Sequence, residues 1–190
     1  MSKLEVLYHT DKEISNFLDR VSIINLKNSH YLLILIGPYQ SGKNNLLNRL
    51  QKKIGNFVEI DLSAVITQDE ESSFKKIDEL FIMISKTDKN ILFNNGDVLT
   101  GQYTGYTYSS VRYATPQERY LLDKINGSEK FCALSLTEPA ALDKRLENFA
   151  QAVVRFDKPK SLLARLIWNI SRIKIQGHTF LSNRPLSTAK

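Results

Sequence analysis

The sequence predicts a parallel α/β sheet with helices on both faces, and three observations carry that expectation. Five short apolar runs, YLLILI (31–36), FVEIDL (57–62), NILF (90–93), FCALSL (131–136) and AVVRF (152–156), alternate with stretches of helical period. The first run is apolar throughout, as a central parallel strand buried on both faces requires. Directly after it comes GPYQSGKNN (37–45), a glycine-rich turn leading into a helical pattern.

Taken in order, DKEISNFLDRVSIINL from Asp11 places Ile14, Phe17, Leu18, Val21 and Ile24 on one helical face. After the glycine turn, Asn45–Ile54 carries Leu46, Leu47 and Leu50 as its stripe, and Gly55-Asn56 stops it. DEESSFKKIDELFIMIS (69–85) opens on acids, which the positive end of a helix favours, and buries Phe74, Ile77, Phe81 and Ile84. Thr115-Pro116-Gln117-Glu118 has the pattern of a helix start, with a threonine cap, proline at the first position and glutamate three after the cap. That helix is expected to reach about Ile125. EPAALDKRLENF and SLLARLIWNISRIKI (161–175) read as two further helices. The organisation expected is an N-terminal helical extension (1–30), a core (31–158), one more helix (159–175) and a basic tail (176–190). The tail has no helical periodicity and is expected to add little to folding stability.

A chain of 190 residues, 42% hydrophobic and 24% charged, suits one domain with a single sizeable core. No apolar stretch is long enough to span a bilayer, and MSKLEVLYHTDKE lacks the apolar region of a signal peptide, so a cytoplasmic location is expected. The single cysteine, Cys132, lies in an apolar strand and reads as packing; it allows no internal disulfide. His9, His30 and His178 are scattered, so no histidine metal site is expected. Residues 155–190 hold eight basic side chains against Asp157 alone, so the net charge of +6 lies entirely in the C-terminal stretch. Such a stretch can attract nucleic acid, an acidic partner or an anionic surface, or simply be solvated.

The glycine turn carries the chemistry. A phosphate-binding loop, G-x-x-x-x-G-K-[ST], curls backbone N–H groups around phosphates, adds the positive end of the following helix, and supplies a lysine for the outer phosphates and a hydroxyl for Mg²⁺. Gly37, Gly42 and Lys43 fit, with Ser41 and Asn45 beside them, but Asn44 stands where the hydroxyl belongs. Mg²⁺ demands near-ideal octahedral geometry, so an amide there is a poor substitute. ATP or ADP is therefore a candidate ligand, with Mg²⁺ weak.

The order of segments over 31–168 resembles that of AAA+ ATPases, of the bacterial type that includes those beside phage-tail-like contractile injection systems. GPYQSGKNNLLNRL resembles the Walker A segment, FVEIDLSAV the second strand, NILFNNGDVLTG the Walker B line, and RYATPQERYLLDKI the helix after it. LSLTEPAALDKRLENFAQAVVRF resembles the sensor strand, the following helix and the last core strand; SLLARLIW resembles the start of a lid. The resemblance implies a three-layer P-loop NTPase fold with a five-stranded parallel sheet in the order 5-1-4-3-2, and a lid truncated after Trp168. The departures fall on the catalytic groups. Asn94 and Asn95 stand at the two Walker B acid positions, Thr137 at the sensor asparagine, and Asn148 and Phe149 at the arginine-finger pair. Asp97 matches an outer acid of the family line but lies two residues late for either role, and Thr67-Gln68-Asp69 supplies no aromatic pore residue. An amide cannot take the proton that a general base must accept. Asn95-Gly96 is also a labile pair, at which deamidation would place an acid.

These departures leave three expected functions. The first is a catalytically impaired AAA+-like protein that binds nucleotide and serves as a scaffold or regulatory subunit for a protein partner, such as an active ATPase or an assembly component. The cluster Tyr103, Tyr106, Tyr108 and Tyr113 suits such contacts. The second is a weak ATPase completed by a neighbouring subunit. The third is an accessory protein that binds nucleic acid through the basic tail, with steep salt dependence. A GTPase reading of Ser85-Lys86-Thr87-Asp88 places that base-reading motif before the third strand, too early for the fold.

Overall fold

The computed structural model describes residues 7–8, 11–23, 30–38, 40–100, 115–138, 141–156 and 179–181. Among the described residues seven strands form one sheet: β1 (Leu7–Tyr8), β2 (Tyr31–Ile36), β3 (Phe57–Asp61), β4 (Asn90–Asn94), β5 (Phe131–Leu136), β6 (Ala152–Arg155) and β7 (Thr179–Leu181). The helices are α1 (Asp11–Ser22), α2 (Gln40–Ile54), α3 (Leu62–Val65), α4 (Glu70–Ser85), α5 (Pro116–Asn126) and α6 (Lys144–Phe149), with a 3-10 turn at Gly96–Leu99.

The sheet order is β1-β7-β6-β2-β5-β4-β3. β6, β2, β5, β4 and β3 pair in parallel and, numbered among themselves, give the expected order 5-1-4-3-2. At the β6 edge the sheet goes two strands further. β7, from the C-terminal tail, pairs antiparallel with β6, and β1 pairs antiparallel with β7. Pieces of two and three residues carry no readable period, which is why only pairing reveals them.

The central strands β2 and β5 are buried along their whole length. Alternation then splits the core in two. Leu32, Ile34, Ile36, Ile91, Phe93, Cys132 and Leu134 pack under α4, α5 and α6, with Ile77, Ile84, Leu121, Ile125 and Leu146. Tyr31, Leu33, Leu35, Phe131, Ala133 and Val154 pack under α1 and α2, with Phe17, Val21, Leu46 and Leu50. The layers are helix, sheet, helix. Tyr31 and Phe131 stack across β2 and β5 with ring centroids 4.6 Å apart.

Helix starts follow the cap chemistry. Asp61, Asp69, Thr115 and Asp143 each accept from a backbone N–H two or three residues on, at Ser63, Ser72, Glu118 and Leu146. Asp143 sets α6 at Lys144–Phe149, later than the reading from Glu138. α2 moves the other way and begins at Gln40 rather than Asn45, taking Ser41 and Gly42 into its first turn. The helix start at Thr115 is only half reciprocal. The Thr115 hydroxyl accepts from Glu118 N–H at 3.1 Å, but the Glu118 carboxyl is buried and makes no bond back. The expected helix over 161–175 with Trp168, and the tyrosine cluster within 101–114, lie outside the described residues. No described helix is long and apolar enough to cross a membrane.

Candidate functional site

The C-terminal ends of β2, β5 and β4 converge where the glycine turn leaves the sheet. Gly37 follows β2 with φ +128°, a backbone region open to glycine. A Cβ there would lie 2.2 Å from the Phe156 carbonyl oxygen, so the turn also needs glycine for close approach. Gly37 N–H donates to the Leu136 carbonyl at 3.0 Å, and Phe156 N–H to the Ile36 carbonyl at 2.7 Å. The start of the turn is thus pinned between the exits of β5 and β6.

Lys43 lies one turn into α2 and is 1% exposed. Its Nζ donates to Ser135 Oγ at 3.1 Å and to the same Leu136 carbonyl at 2.8 Å. Burial pulls its pKa down to about 8, and the Asp97 carboxylate nearby works against that shift. Asp97, in the 3-10 turn after β4, accepts from Thr137 N–H at 2.8 Å and from Glu138 N–H at 2.9 Å. The acid that sequence spacing placed two residues late therefore caps the exit of β5 and faces the lysine. Asn44 is exposed, and its carbonyl oxygen accepts from Gln40 Nε2 at 3.0 Å. Asn45 is half-buried beside it.

The Walker B corner is built from amides and acids on neighbouring strands. Asp61 of β3 is in register with Asn94 of β4. Asn94 Nδ2 donates to Glu59 Oε2 at 3.3 Å, and Asn95 Nδ2 to Asp61 Oδ1 at 2.8 Å. Hydrogen bonds from the Ser63 hydroxyl, then Asn95 and the Ser63 N–H, hold the Asp61 carboxyl below its ordinary range. Asn95 adopts a left-handed conformation, φ 57°, which asparagine tolerates. Gly96 follows it because a Cβ would meet Leu134 Cδ1 at 2.6 Å.

Several residues singled out from sequence turn out to have structural contacts. Thr67 and Asp69 are tied to Ser73 at the start of α4. The Phe149 ring lies 5.1 Å from His30, and Asn148 is exposed on α6. Thr137 is exposed, with its N–H on Asp97. Ser135, Glu59 and Asp61 were not singled out. Alternation along FVEID does put Glu59 and Asp61 on one side of a strand, so that part was readable. Among the described residues no cluster of three or more histidine, cysteine or acidic side chains could hold a metal ion.

A glycine-rich turn at the end of a central strand, in a sheet of order 5-1-4-3-2 between two helical layers, defines an AAA+-like α/β fold. Comparison with solved structures agrees. The chain is similar to a chain of the E. coli MS115-1 HORMA:CdnC:Trip13 complex, with TM-score 0.56 and 12% identity over 81% of this chain and 64% of that one. It is also similar to the FIGL-1 AAA domain in complex with ADP, with TM-score 0.51 and 13% identity over 83% of this chain and 58% of that one. The chain thus spans about three fifths of the length of these structures. No protein-family model and no curated protein matches the sequence. The basic stretch 155–190 lies largely outside the described residues, so the nucleic-acid reading rests on sequence alone.

Proposed function

We propose that this chain is a nucleotide-binding AAA+-like protein that does not hydrolyse ATP and acts through protein contacts, as a scaffold or regulatory subunit. The donor set at the turn fits a phosphate group: Lys43, the first-turn amides of α2, and glycines that let backbone approach. A bound nucleotide would be held by Gly37, Ser41, Gly42, Lys43, Asn44 and Asn45, and would supply the phosphates that this donor set recognises. The neighbour in complex with ADP supports that ligand class. The neighbour in a HORMA:CdnC:Trip13 complex supports action through partner proteins.

The observation that carries the loss of hydrolysis is that amides, Asn94 and Asn95, stand at the two acid positions. Both spend an amide N–H on a carboxylate of β3, at 3.3 and 2.8 Å. The corner keeps the Glu59 and Asp61 carboxylates, but positions 94 and 95 themselves carry neutral amides, which cannot take the proton of an attacking water. Asn148 and Phe149 bring no cation to a neighbour's site. Removing an arginine finger alone costs ~10³–10⁵ in rate.

Calorimetry with ADP and ATP, with and without Mg²⁺, tests the binding half, and phosphate release tests turnover. Binding that survives chelation, is lost in Lys43→Ala, and comes with no turnover above background is expected. Hydrolysis near one per second that vanishes in Lys43→Ala would refute the reading, because that is an ordinary enzyme rate of order ~1 s⁻¹.

A further inference from the structure

We propose that the structure holds the nucleotide site in a latched state: Lys43 is stored against the exit of β5, the first turn of α2 is wound shut, and phosphate binding must release both. This rests on the nucleotide-binding reading above and adds how that site is controlled.

Three observations converge. A lysine that serves phosphate must present its ammonium to the ligand, yet Lys43 is 1% exposed. Two of its three N–H donors are spent, on Ser135 Oγ and the Leu136 carbonyl. Leu136 O also accepts from Gly37 N–H. One carbonyl therefore holds both the start of the loop and its lysine, and draws the loop closed.

The helix is the second observation. A phosphate loop needs the residues before its lysine unwound, so that their N–H groups curl around the ligand. Here α2 already includes Gln40, Ser41 and Gly42. Gln40 N–H turns back to the Pro38 carbonyl at 3.1 Å. A first turn of this kind offers its free amides along the helix axis, but it does not curl them around the ligand as an unwound phosphate loop does.

The third is Asn44. It replaces the metal-binding hydroxyl, and its carbonyl oxygen takes the Gln40 side-chain N–H at 3.0 Å. This i, i+4 bond spans the turn that would have to open. The departure from the phosphate-loop pattern at 44 thus has a use, since the residue that cannot serve Mg²⁺ staples the loop. The side chains of Ser135 and Asn44 act as positioning groups: the Ser135 hydroxyl holds Lys43 and the Asn44 amide holds the turn, while the part of Asn44 offered to a nucleotide is its backbone N–H, which Asn44→Ala keeps.

The test uses the full chain. Competitive acylation of lysine amines, read by mass spectrometry on the protein without ligand, reports on the latch directly. A lysine with lowered pKa that was open to solvent would acylate faster than the exposed Lys52. A latched one acylates slower, and at least a tenfold difference is expected. Ser135→Ala and Asn44→Ala each remove one hydrogen bond of the latch, so each should raise the Lys43 acylation rate. Each should also tighten ADP binding in calorimetry by about two- to tenfold, the worth of one net hydrogen bond. Acylation of Lys43 as fast as Lys52 in the wild type would overturn the latch. So would ADP binding that needs Lys43 but is unchanged or weakened in both variants; the nucleotide reading would then stand without the latch. No ADP binding by wild type or either variant would overturn both.

Discussion

Among the described residues Lys43 and Glu118 are the two buried charged side chains, one on each face of the sheet, and they are treated in opposite ways. Both are sealed from water, at 1% and 0% exposure. Lys43 has two hydrogen-bond acceptors and the Asp97 carboxylate for company. Neither oxygen of Glu118 has a hydrogen-bond partner among the described residues. Burial pushes the Glu118 carboxyl up to about 8; Asp143 on α6 pushes it the same way, while Arg145 and Arg119 oppose. At neutral pH the lysine is therefore mostly charged and held, and the glutamate mostly protonated and unpaired. A buried charge with built partners is being positioned, and one without them is being neutralised. The built partners stand at the glycine turn, where the proposed nucleotide site lies.

The largest effect expected from this contrast is the pH dependence that Glu118 imposes. Its folded pKa lies above the unfolded value near 4.5, so between pH 4.5 and about 8 the folded state binds the extra proton. Its contribution to stability therefore falls as pH rises through that window and is flat beyond it. The swing should be on the order of 3–4 kcal/mol. Urea melts of wild type and Glu118→Gln between pH 5 and 8 measure it. The variant should lose most of the slope and gain stability at pH 8. Equal slopes would mean that Glu118 has found a partner and the contrast with Lys43 is false.

Lys43 imposes the opposite slope above pH 8. Its folded pKa is lowered from 10.5 to about 8, so in that window the unfolded state binds the extra proton and stability rises with pH. Lys43→Met keeps an apolar stem in the same space and should remove this limb, on the order of 2–3 kcal/mol. Below pH 8 the variant is expected to be at least as stable as wild type, because Leu136 O still accepts from Gly37. Its ADP affinity should meanwhile fall by about 100-fold or more, about 3 kcal/mol. A variant that is less stable at pH 7 and binds ADP as before would make Lys43 a structural residue, the equal of Glu118.

The two sites were unequally legible in the sequence. The five core strands, their order and the glycine turn followed from apolar runs and from the resemblance, because a strand buried on both faces has no other pattern to write. Lys43 was found because its motif is short and local. Its acceptors were not, because Ser135 and Leu136 lie more than ninety residues away and only the β2–β5 register brings them near. The start of α2 was misplaced because glycine and serine inside a helix read as loop residues until the Gln40–Asn44 bond is seen. The local pattern predicts Glu118 as half of a reciprocal cap; in the fold its carboxyl is buried and makes no bond back to the cap. β1 and β7 are too short to leave a pattern at all.

The smallest effect sharpens the comparison at the surface, where neither rule for buried charge applies. Asn95 donates to Asp61 at 2.8 Å, and both side chains are exposed. Asn95→Asp, the product that deamidation at Asn95-Gly96 would also give, keeps the shape and the tolerance for a left-handed backbone. It removes the donor and sets two carboxylates side by side. Solvent and salt screen such a pair, so Tm should fall by no more than about 3 °C, and by less at high ionic strength. Asn95→Ala, which loses the bond but adds no charge, should show a fall without the salt dependence. Turnover of ATP should stay at background in both, because one acid at 95 leaves Asn94, Asn44 and Asn148 unchanged and adds repulsion to a corner that already holds Glu59 and Asp61. Hydrolysis that appears with Asn95→Asp would show instead that this corner is one charge away from a working site, and that the proposed lack of turnover rests on its amides and not on the proposed latch.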